Sequence, residues 1–360
     1  MRLHTSVGVV RLRVWHGTNP ETGRWGCPIR QRWGLTAHQQ CSPAFEDRLA
    51  FTMTATGSYE QAAAVVSKWG CPTTDSTVHA LTQRLGARAE AQTQQRLAQP
   101  PAEAAPQRAT TELGVFELDG WQVRQRGPGW GRKTTKKPRV EWHELKTGVF
   151  YRHEQAARTT GGRGLLAEKV VMNWQGEPLE LARRLDWEAM GAGLARARHT
   201  LVVADGAAWI WNIAADRWRG ATEVLDFYHA SQHLWELGRA VVGEPQAAGW
   251  AQPRLHRLRH GKERALLAQI AALKPPRGQR GAVLRREQGY FAGQEARMHY
   301  ESIAARGWPI GSGAVESACR QRQCRCKRAG QFWTARGLRH LCALEEARAN
   351  SHWDDLWPTA

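Results

Sequence analysis

Acidic side chains are in short supply in this sequence. Asp and Glu number 33 against 51 Lys and Arg, a formal charge of +18. An excess that large calls for a polyanionic partner, and nucleic acid is the commonest. Paired cysteines are missing too. The seven are Cys27, Cys41, Cys71, Cys319, Cys324, Cys326 and Cys342. The number is odd, and no two have the Cys-x-x-Cys spacing of a zinc ribbon or knuckle. No signal-peptide pattern opens the sequence, so a disulfide framework is not expected. All seven are read as reduced thiols of a cytosolic protein. No apolar run approaches membrane-spanning length. What is there is a chain of 360 residues, 42% of them hydrophobic, enough for two or three domains with real cores.

Along the chain the pattern changes several times. Residues 1–40 read as a β-hairpin region. Ser6 to Trp15 alternate apolar and polar residues as a strand does, and Gly17, Asn19, Pro20 and Gly23 follow as turn chemistry. Residues 41–97 turn helical. Pro43 to Met53 form one short helix. Ser58 and Gln61 have the spacing of a capping box for a second, in which Ala62, Val65, Val66 and Trp69 share a face. Gly70-Cys71-Pro72 breaks the chain. A third helix starts near Asp75 or Ser76 and carries Val78, Leu81 and Leu85. Helix, tight turn and helix, with polar residues leading the last, is a helix-turn-helix pattern, although a plain three-helix packing domain has the same spacing. Residues 98–112 are rich in Pro and Ala and read as a linker.

The remainder reads as mixed α/β. Strands are expected over Gly114 to Arg124, Arg139 to Glu154 and Leu166 to Trp174, with a Gly- and Lys-rich turn from Arg126 to Lys137. A helix follows over Pro178 to Ala197, a buried strand over Thr200 to Gly206, and a helix in the Ala207 to Trp218 segment. A last strand, Ala221 to Ala230, runs into a helix. Antiparallel strands followed by strand-helix-strand units is the order of a ribonuclease-H-like core, and other α/β folds share it. The core is expected in two parts, 113–230 and 307–350, around a helical insertion over 231–306.

Two aspartates stand out. Asp119 follows Val115-Phe116-Glu117-Leu118, Asp205 follows Leu201-Val202-Val203-Ala204, and each precedes a glycine. A carboxylate at the end of a buried strand is costly unless it meets a cation or a donor. Either Asp-Gly alone reads as the start of a turn. Together in a +18 chain they read as a site. Phosphoryl transfer on DNA uses two divalent cations about 4 Å apart, held by convergent carboxylates.

The blocks VVADGAAWIWNIAADRW, ATEVLDFYHASQHLW and GWPIGSGAVESACRQRQCRCKRAGQFWTARG resemble the bacterial ISKra-type insertion-sequence transposases of the DDE superfamily. A weaker similarity over residues 6 to 197 follows in the same order. The resemblance implies a ribonuclease-H-like catalytic core with a helical insertion ahead of the third acidic residue. It places the catalytic, metal-holding carboxylates at Asp119, Asp205 and Glu316, and an auxiliary Asp-x-x-His element at Asp226 and His229. It implies Mg²⁺ or Mn²⁺, two ions, as cofactor. The implied partners are double-stranded DNA, as terminal inverted repeats and target, and further copies of the chain on that DNA. The implied place is the bacterial cytoplasm, at the nucleoid. Relatives often carry a cysteine-rich knuckle after the first hairpin, whereas Cys27 stands without partners in the sequence.

The residues themselves agree with Glu316. It opens a helix after Gly311-Ser312-Gly313, where a carboxylate can turn back to a strand-end site or simply balance the helix dipole. His229 is read as orienting a carboxylate or a DNA phosphate, with a buried structural role as the competitor. His229 and His233 have zinc-ligand spacing, but no third ligand accompanies them. A basic helix is expected behind Glu316, carrying Arg320, Arg322, Arg325, Lys327, Arg328, Arg336 and Arg339. The first five are the expected phosphate contacts. Trp209, Trp211 and Trp333 are read as packing residues. Glu117 shares a strand face with Asp119 and is the fallback for it. The competing functions are a DNA-binding regulator without catalysis and a structure-selective nuclease.

Overall fold

The computed structural model describes residues 1–33, 35, 39–99, 111–131, 139–161, 164–193 and 197–357. Most of the expected linker lies outside these, as do residues 132–138 of the expected turn and 194–196 of the expected helix end. The chain divides into two compact units. One comprises Met1–Ala98, Arg124–Glu141 and Gln323–Ala360, the other Gln99–Val123 and Trp142–Arg322.

The first unit opens on strands β1 (Arg2–Thr5) and β2 (Gly8–Arg11), paired antiparallel. The single strand expected from Ser6 to Trp15 is therefore not formed. Its first residues make the turn, where the Thr5 hydroxyl donates to the Gly8 carbonyl at 2.7 Å. Alternation continued through the turn and concealed it. A second small hairpin, β3 (Gly17–Thr18) and β4 (Trp25–Gly26), precedes helix α1 (Pro28–Arg32).

Three capped helices follow: α2 (Pro43–Ala55), α3 (Tyr59–Lys68) and α4 (Asp75–Leu97). The side chains of Ser42, Ser58 and Thr74 each accept a backbone N–H from three residues on, satisfying donors that the first turn leaves open. The return bond expected from Gln61 goes to the N–H of Gly57 at 3.0 Å, one residue before the cap. In α3 the buried residues are Ala62, Ala63 and Val66, while Trp69 is 61% exposed. The face is thus rotated from the expected one. The buried face of α4, with Val78, Leu81, Leu85 and Ala89, packs against Leu338, Leu341 and Leu344 of α13 (Ala335–Ala349), the longest helix contact of this unit. Gly86 permits the approach, because a Cβ there would lie 2.2 Å from the His340 carbonyl oxygen.

The second unit holds a mixed sheet. Among the described residues it has five strands: β5 (Leu113–Arg126), β6 (Val140–Arg152), β9 (Val170–Trp174), β10 (His199–Ala204) and β11 (Thr222–Leu225). Between β6 and β9 lies a separate hairpin, β7 (Ala156–Arg158) with β8 (Gly164–Leu166). Leu166 therefore ends that hairpin rather than starting the third sheet strand. The sheet order is β11-β10-β5-β6-β9, with β5, β10 and β11 parallel and β6–β9 antiparallel. Central strands covered on both faces read as unbroken apolar runs. Val115, Phe116 and Leu118 of β5 and Leu201 to Ala204 of β10 are fully buried. Helix α5 (Pro178–Gly191) packs on β9, and α6 (Ala208–Arg217) packs on α5.

After β11 come α7 (Phe227–Val242), α8 (Glu244–Arg259), α9 (Glu263–Ala271), α10 (Gln279–Gly293) and α11 (Tyr300–Ala305). This is the expected helical stretch, interrupted as expected around Lys274 to Gly278. The expected basic helix is two helices. α12 (Gly313–Cys326) ends before Lys327, and α13 begins at Ala335. Gly330 lies between them with φ +75°, a conformation glycine adopts without steric cost. Among the described residues no helix is long and apolar enough to cross a membrane.

Candidate active site

Parallel pairing fixes the first two aspartates. Leu118 of β5 is the partner of Ala204 in β10. Asp119 is the next residue of β5 and Asp205 the first residue after β10, close enough for the charge of Asp205 to act on the Asp119 carboxyl. Asp119 accepts the N–H of Gly120 at 2.7 Å. Burial pushes its carboxyl above the ordinary range. The Asp205 charge adds to the rise, while the Cys319 thiol, the Gly120 N–H and His229 oppose it.

Asp205 accepts the N–H of Ala207 at 3.0 Å. The turn it opens is held from α10. Tyr290 Oη donates to the Asp205 carbonyl at 3.0 Å, and the Gln294 amide donates to the Gly206 carbonyl at 3.1 Å. Gly206 has φ +103°, and a Cβ there would meet Leu225 and Tyr290 at 3.2 Å. The backbone conformation favours glycine, and a side chain would also press on its neighbours.

Glu316 stands on the first turn of α12, its side chain 48% exposed, with Oε1 3.4 Å from His229 Nε2. Partial burial raises its carboxyl, the charges of Asp226 and Asp119 raise it further, and His229 lowers it. Asp119, Glu316 and His229 therefore sense one another electrostatically. Of the two readings of His229, the carboxylate partner is the one this geometry matches.

Two fully buried carboxylates hold this arrangement together. Asp226 caps α7, accepting the N–H groups of Tyr228 at 2.6 Å and His229 at 2.9 Å. Its other oxygen accepts the Ser312 hydroxyl at 2.7 Å and the Ser312 N–H. One side chain thus orients the helix of His229 and clamps the Gly-Ser-Gly loop before Glu316. Glu117 does the equivalent from β5. Its Oε2 accepts the N–H groups of Ala314 at 2.8 Å and Val315 at 2.9 Å, and its Oε1 accepts the Tyr151 hydroxyl at 2.9 Å. Burial pushes the Glu117 carboxyl up to about 7, against the pull of Val315, Tyr151 and Ala314. Glu117 is therefore not a substitute for Asp119, as a sequence fallback would have it. It anchors the N-terminus of α12, where backbone donors and the helix dipole favour a carboxylate. A lone Glu inside the apolar run Val115 to Leu118 was the signal in the sequence.

The carboxylate oxygens are the donor type that hard divalent cations take. Burial, the first cause that raises Asp119 and Glu316, and the neighbouring carboxylate charges that add to it are both offset by such a cation. By donor chemistry, Asp119, Asp205 and Glu316 fit a Mg²⁺ or Mn²⁺ site. Among the described residues, however, no three His, Cys, Asp or Glu side chains gather closely enough to hold an ion. Asp119 and Asp205 each accept a neighbouring backbone N–H, and Glu316 faces His229. His233, at zinc-ligand spacing from His229 but without a third ligand in the sequence, has its Nδ1 2.6 Å from Glu287 Oε2.

The expected phosphate contacts separate on inspection. Arg320 is exposed, one turn beyond Glu316 on the same side of α12. Arg322 is half-buried. Arg325 is corrected: it is buried, 3.2 Å from Glu345, and its guanidinium also meets the Thr56 carbonyl and the Met53 sulfur. A guanidinium so occupied is a packing cation of the first unit. Lys327 is half-buried with Nζ on Gln323, and Arg328 is exposed and donates to the Gly57 carbonyl at 3.2 Å. The tryptophans pack as expected. Trp211 is buried under Arg297, Lys146 lies over the half-buried Trp209, and Trp333 donates to the Cys326 carbonyl.

The chain matches no protein-family model, and the comparison with curated proteins finds no match to it.

Proposed function

We propose that the chain is a DDE-type DNA transposase built on a ribonuclease-H-like core, cutting DNA at element ends and joining the cut end to target DNA. The observation that carries this reading is the parallel pairing of β5 with β10, which brings Asp119 and Asp205 into electrostatic reach of one another, with Glu316 in reach of Asp119. The sheet order is compatible with that core: β5, β6 and β9 lie side by side in chain order, and the parallel strands β10 and β11 extend the sheet beyond β5. The formal charge of +18 supports a nucleic-acid substrate.

Asp119, Asp205 and Glu316 would hold Mg²⁺ or Mn²⁺. The bound ions supply nucleophile activation and charge neutralisation at the reacting phosphate. The chain's own residues do the positioning. The β5–β10 register presents two carboxylates together. His229 orients Glu316, and Asp226 and Glu117 fix the loop and helix that deliver it. Arg320, beside Glu316, meets the phosphodiester backbone. Water opens a P–O bond at the element end and leaves a 3′-hydroxyl. That hydroxyl then attacks a target phosphodiester in line, displacing the target's own 3′-oxygen. Pairing two ends calls for at least two copies of the chain on DNA.

The test uses purified protein, Mg²⁺ and a DNA carrying the sequences that flank the reading frame. Cleavage with joined products supports the proposal. Cleavage without joining identifies a nuclease instead. A DNA-binding protein without catalysis is the second reading. It is favoured by the lack of a ready three-ligand group among the described residues, and binding with no cleavage at any Mg²⁺ or Mn²⁺ concentration would establish it.

A further inference from the structure

The first unit carries a layer of interleaved guanidinium groups and aromatic rings. It is built from the end of β5, the residues just after it, and the segment between α12 and α13. The backbone joins these pieces. Trp333 N–H donates to the Arg124 carbonyl at 3.1 Å, and Arg126 N–H donates to the Trp333 carbonyl at 2.8 Å. Arg124 also donates to the Arg328 carbonyl at 2.6 Å, and Arg126 Nε donates to the Phe332 carbonyl at 3.0 Å. Trp333 thus forms a single parallel bridge to Gln125 near the end of β5.

On this support the side chains stack. The rings of Trp130 and Phe332 are 4.9 Å apart at 43°. The Arg124 guanidinium lies 5.2 Å from the Phe332 centroid, and that of Arg126 lies 5.9 Å from the Trp130 centroid. Trp130 and Phe332 are only half-buried, and Arg126 and Arg328 are exposed, as is Arg139, whose carbonyl accepts the Gly127 N–H at 2.9 Å and whose guanidinium lies 3.6 Å from Glu141. Between Lys327 and Arg339 the sequence has no acidic residue. Cationic groups alone would track a duplex backbone. Rings held among them add a surface that any base can stack on, provided the base is unpaired.

We propose that this layer binds a DNA strand with unpaired bases, Trp130 and Phe332 stacking the bases while Arg126, Arg139 and Arg328 meet the phosphates. The proposal rests on the reading that the chain works on DNA, and it names the form of DNA that the first unit holds. The strand separated at a cut end has that form.

The experiment is fluorescence anisotropy with EDTA present, comparing a single-stranded oligonucleotide with a duplex of equal length. The parent, Trp130→Ala and Trp130→Phe are measured, with thermal melts to show that each is folded. Trp130→Ala should bind the single strand about five- to a hundredfold more weakly, and the duplex within about twofold of the parent. Trp130→Phe should recover most of the loss. Equal single-strand affinity in a folded Trp130→Ala overturns the proposal, as does an equal loss for both DNA forms. If Trp130→Ala does not fold, failure of the folded Trp130→Phe to prefer the single strand as the parent does overturns it. If the parent binds neither DNA form, the reading of a DNA substrate fails along with it.

Discussion

Glu117 Oε2 accepts the backbone N–H of Val315 at 2.9 Å, so the strand that carries Asp119 holds the first turn of the helix that carries Glu316. Two candidate catalytic groups far apart in sequence are placed by one buried carboxylate. Replacing Glu117 by Ala leaves the N–H groups of Ala314 and Val315 and the Tyr151 hydroxyl without their acceptor. Each buried orphan costs about 1–3 kcal/mol. Glu117→Ala is expected to lower the melting temperature clearly, and Glu117→Gln, which keeps an acceptor oxygen, to lower it less. Equal melting of both variants and the parent would remove Glu117 from this role.

His229 makes a sharper claim, because it touches a proposed catalytic group. Its Nε2 lies 3.4 Å from Glu316 Oε1. Outer partners of metal-site residues are worth about 10–100-fold in activity or metal affinity. His229→Gln is expected to lower cleavage by that order and to leave DNA affinity unchanged. Anisotropy showing a matching fall in DNA affinity would make His229 a phosphate contact instead.

The helical insertion reaches the site through Tyr290. Its hydroxyl bonds the Asp205 carbonyl at 3.0 Å, and its ring stacks on His233 at 3.6 Å between centroids. Tyr290→Phe keeps the stack and removes the bond, a loss of about 0.5–1.5 kcal/mol. Slower cleavage with a small change in melting is the expected result. An unchanged rate would show that the Asp205 turn does not depend on α10.

The same insertion has a defined pH response. Burial works to raise the carboxyl of Glu287, but hydrogen bonds from His233 and Arg286 prevail and hold it below its ordinary value. A depressed folded value means that the unfolded chain binds the proton more readily. The stabilisation is therefore complete above about pH 4.5 and is lost as pH falls through the lowered value. In acid titrations followed by circular dichroism, Glu287→Gln should lack that contribution above pH 4.5. The gap between it and the parent should narrow below. A constant gap across the range would contradict this.

Local chemistry made much of this fold legible. The cap Ser58, the apolar runs of β5 and β10 and the two Asp-Gly pairs that follow those runs all announce themselves within a few residues. The register that sets Asp119 beside Asp205 follows from those runs. Features that depend on distant partners were not legible. Arg325 looks like any other arginine of a basic segment until Glu345 and the Thr56 carbonyl are found around it. Glu117 reads as a spare acid until the N-terminus of α12 arrives on it. The expected strand from Ser6 failed for a different reason: a tight turn can preserve alternation, so periodicity alone did not reveal the reversal at Thr5 to Gly8.

The most direct measurement is metal-dependent strand cleavage by Asp205→Asn and Glu316→Gln beside the parent, all three shown to be folded and to bind DNA. Removing a ligand that supports several kcal/mol of charge stabilisation should reduce the rate on the order of a hundredfold or more. Loss of both cleavage and joining in each variant, with DNA affinity retained, is the predicted result. Cleavage by either variant at the parent's rate would contradict the assignment of these carboxylates.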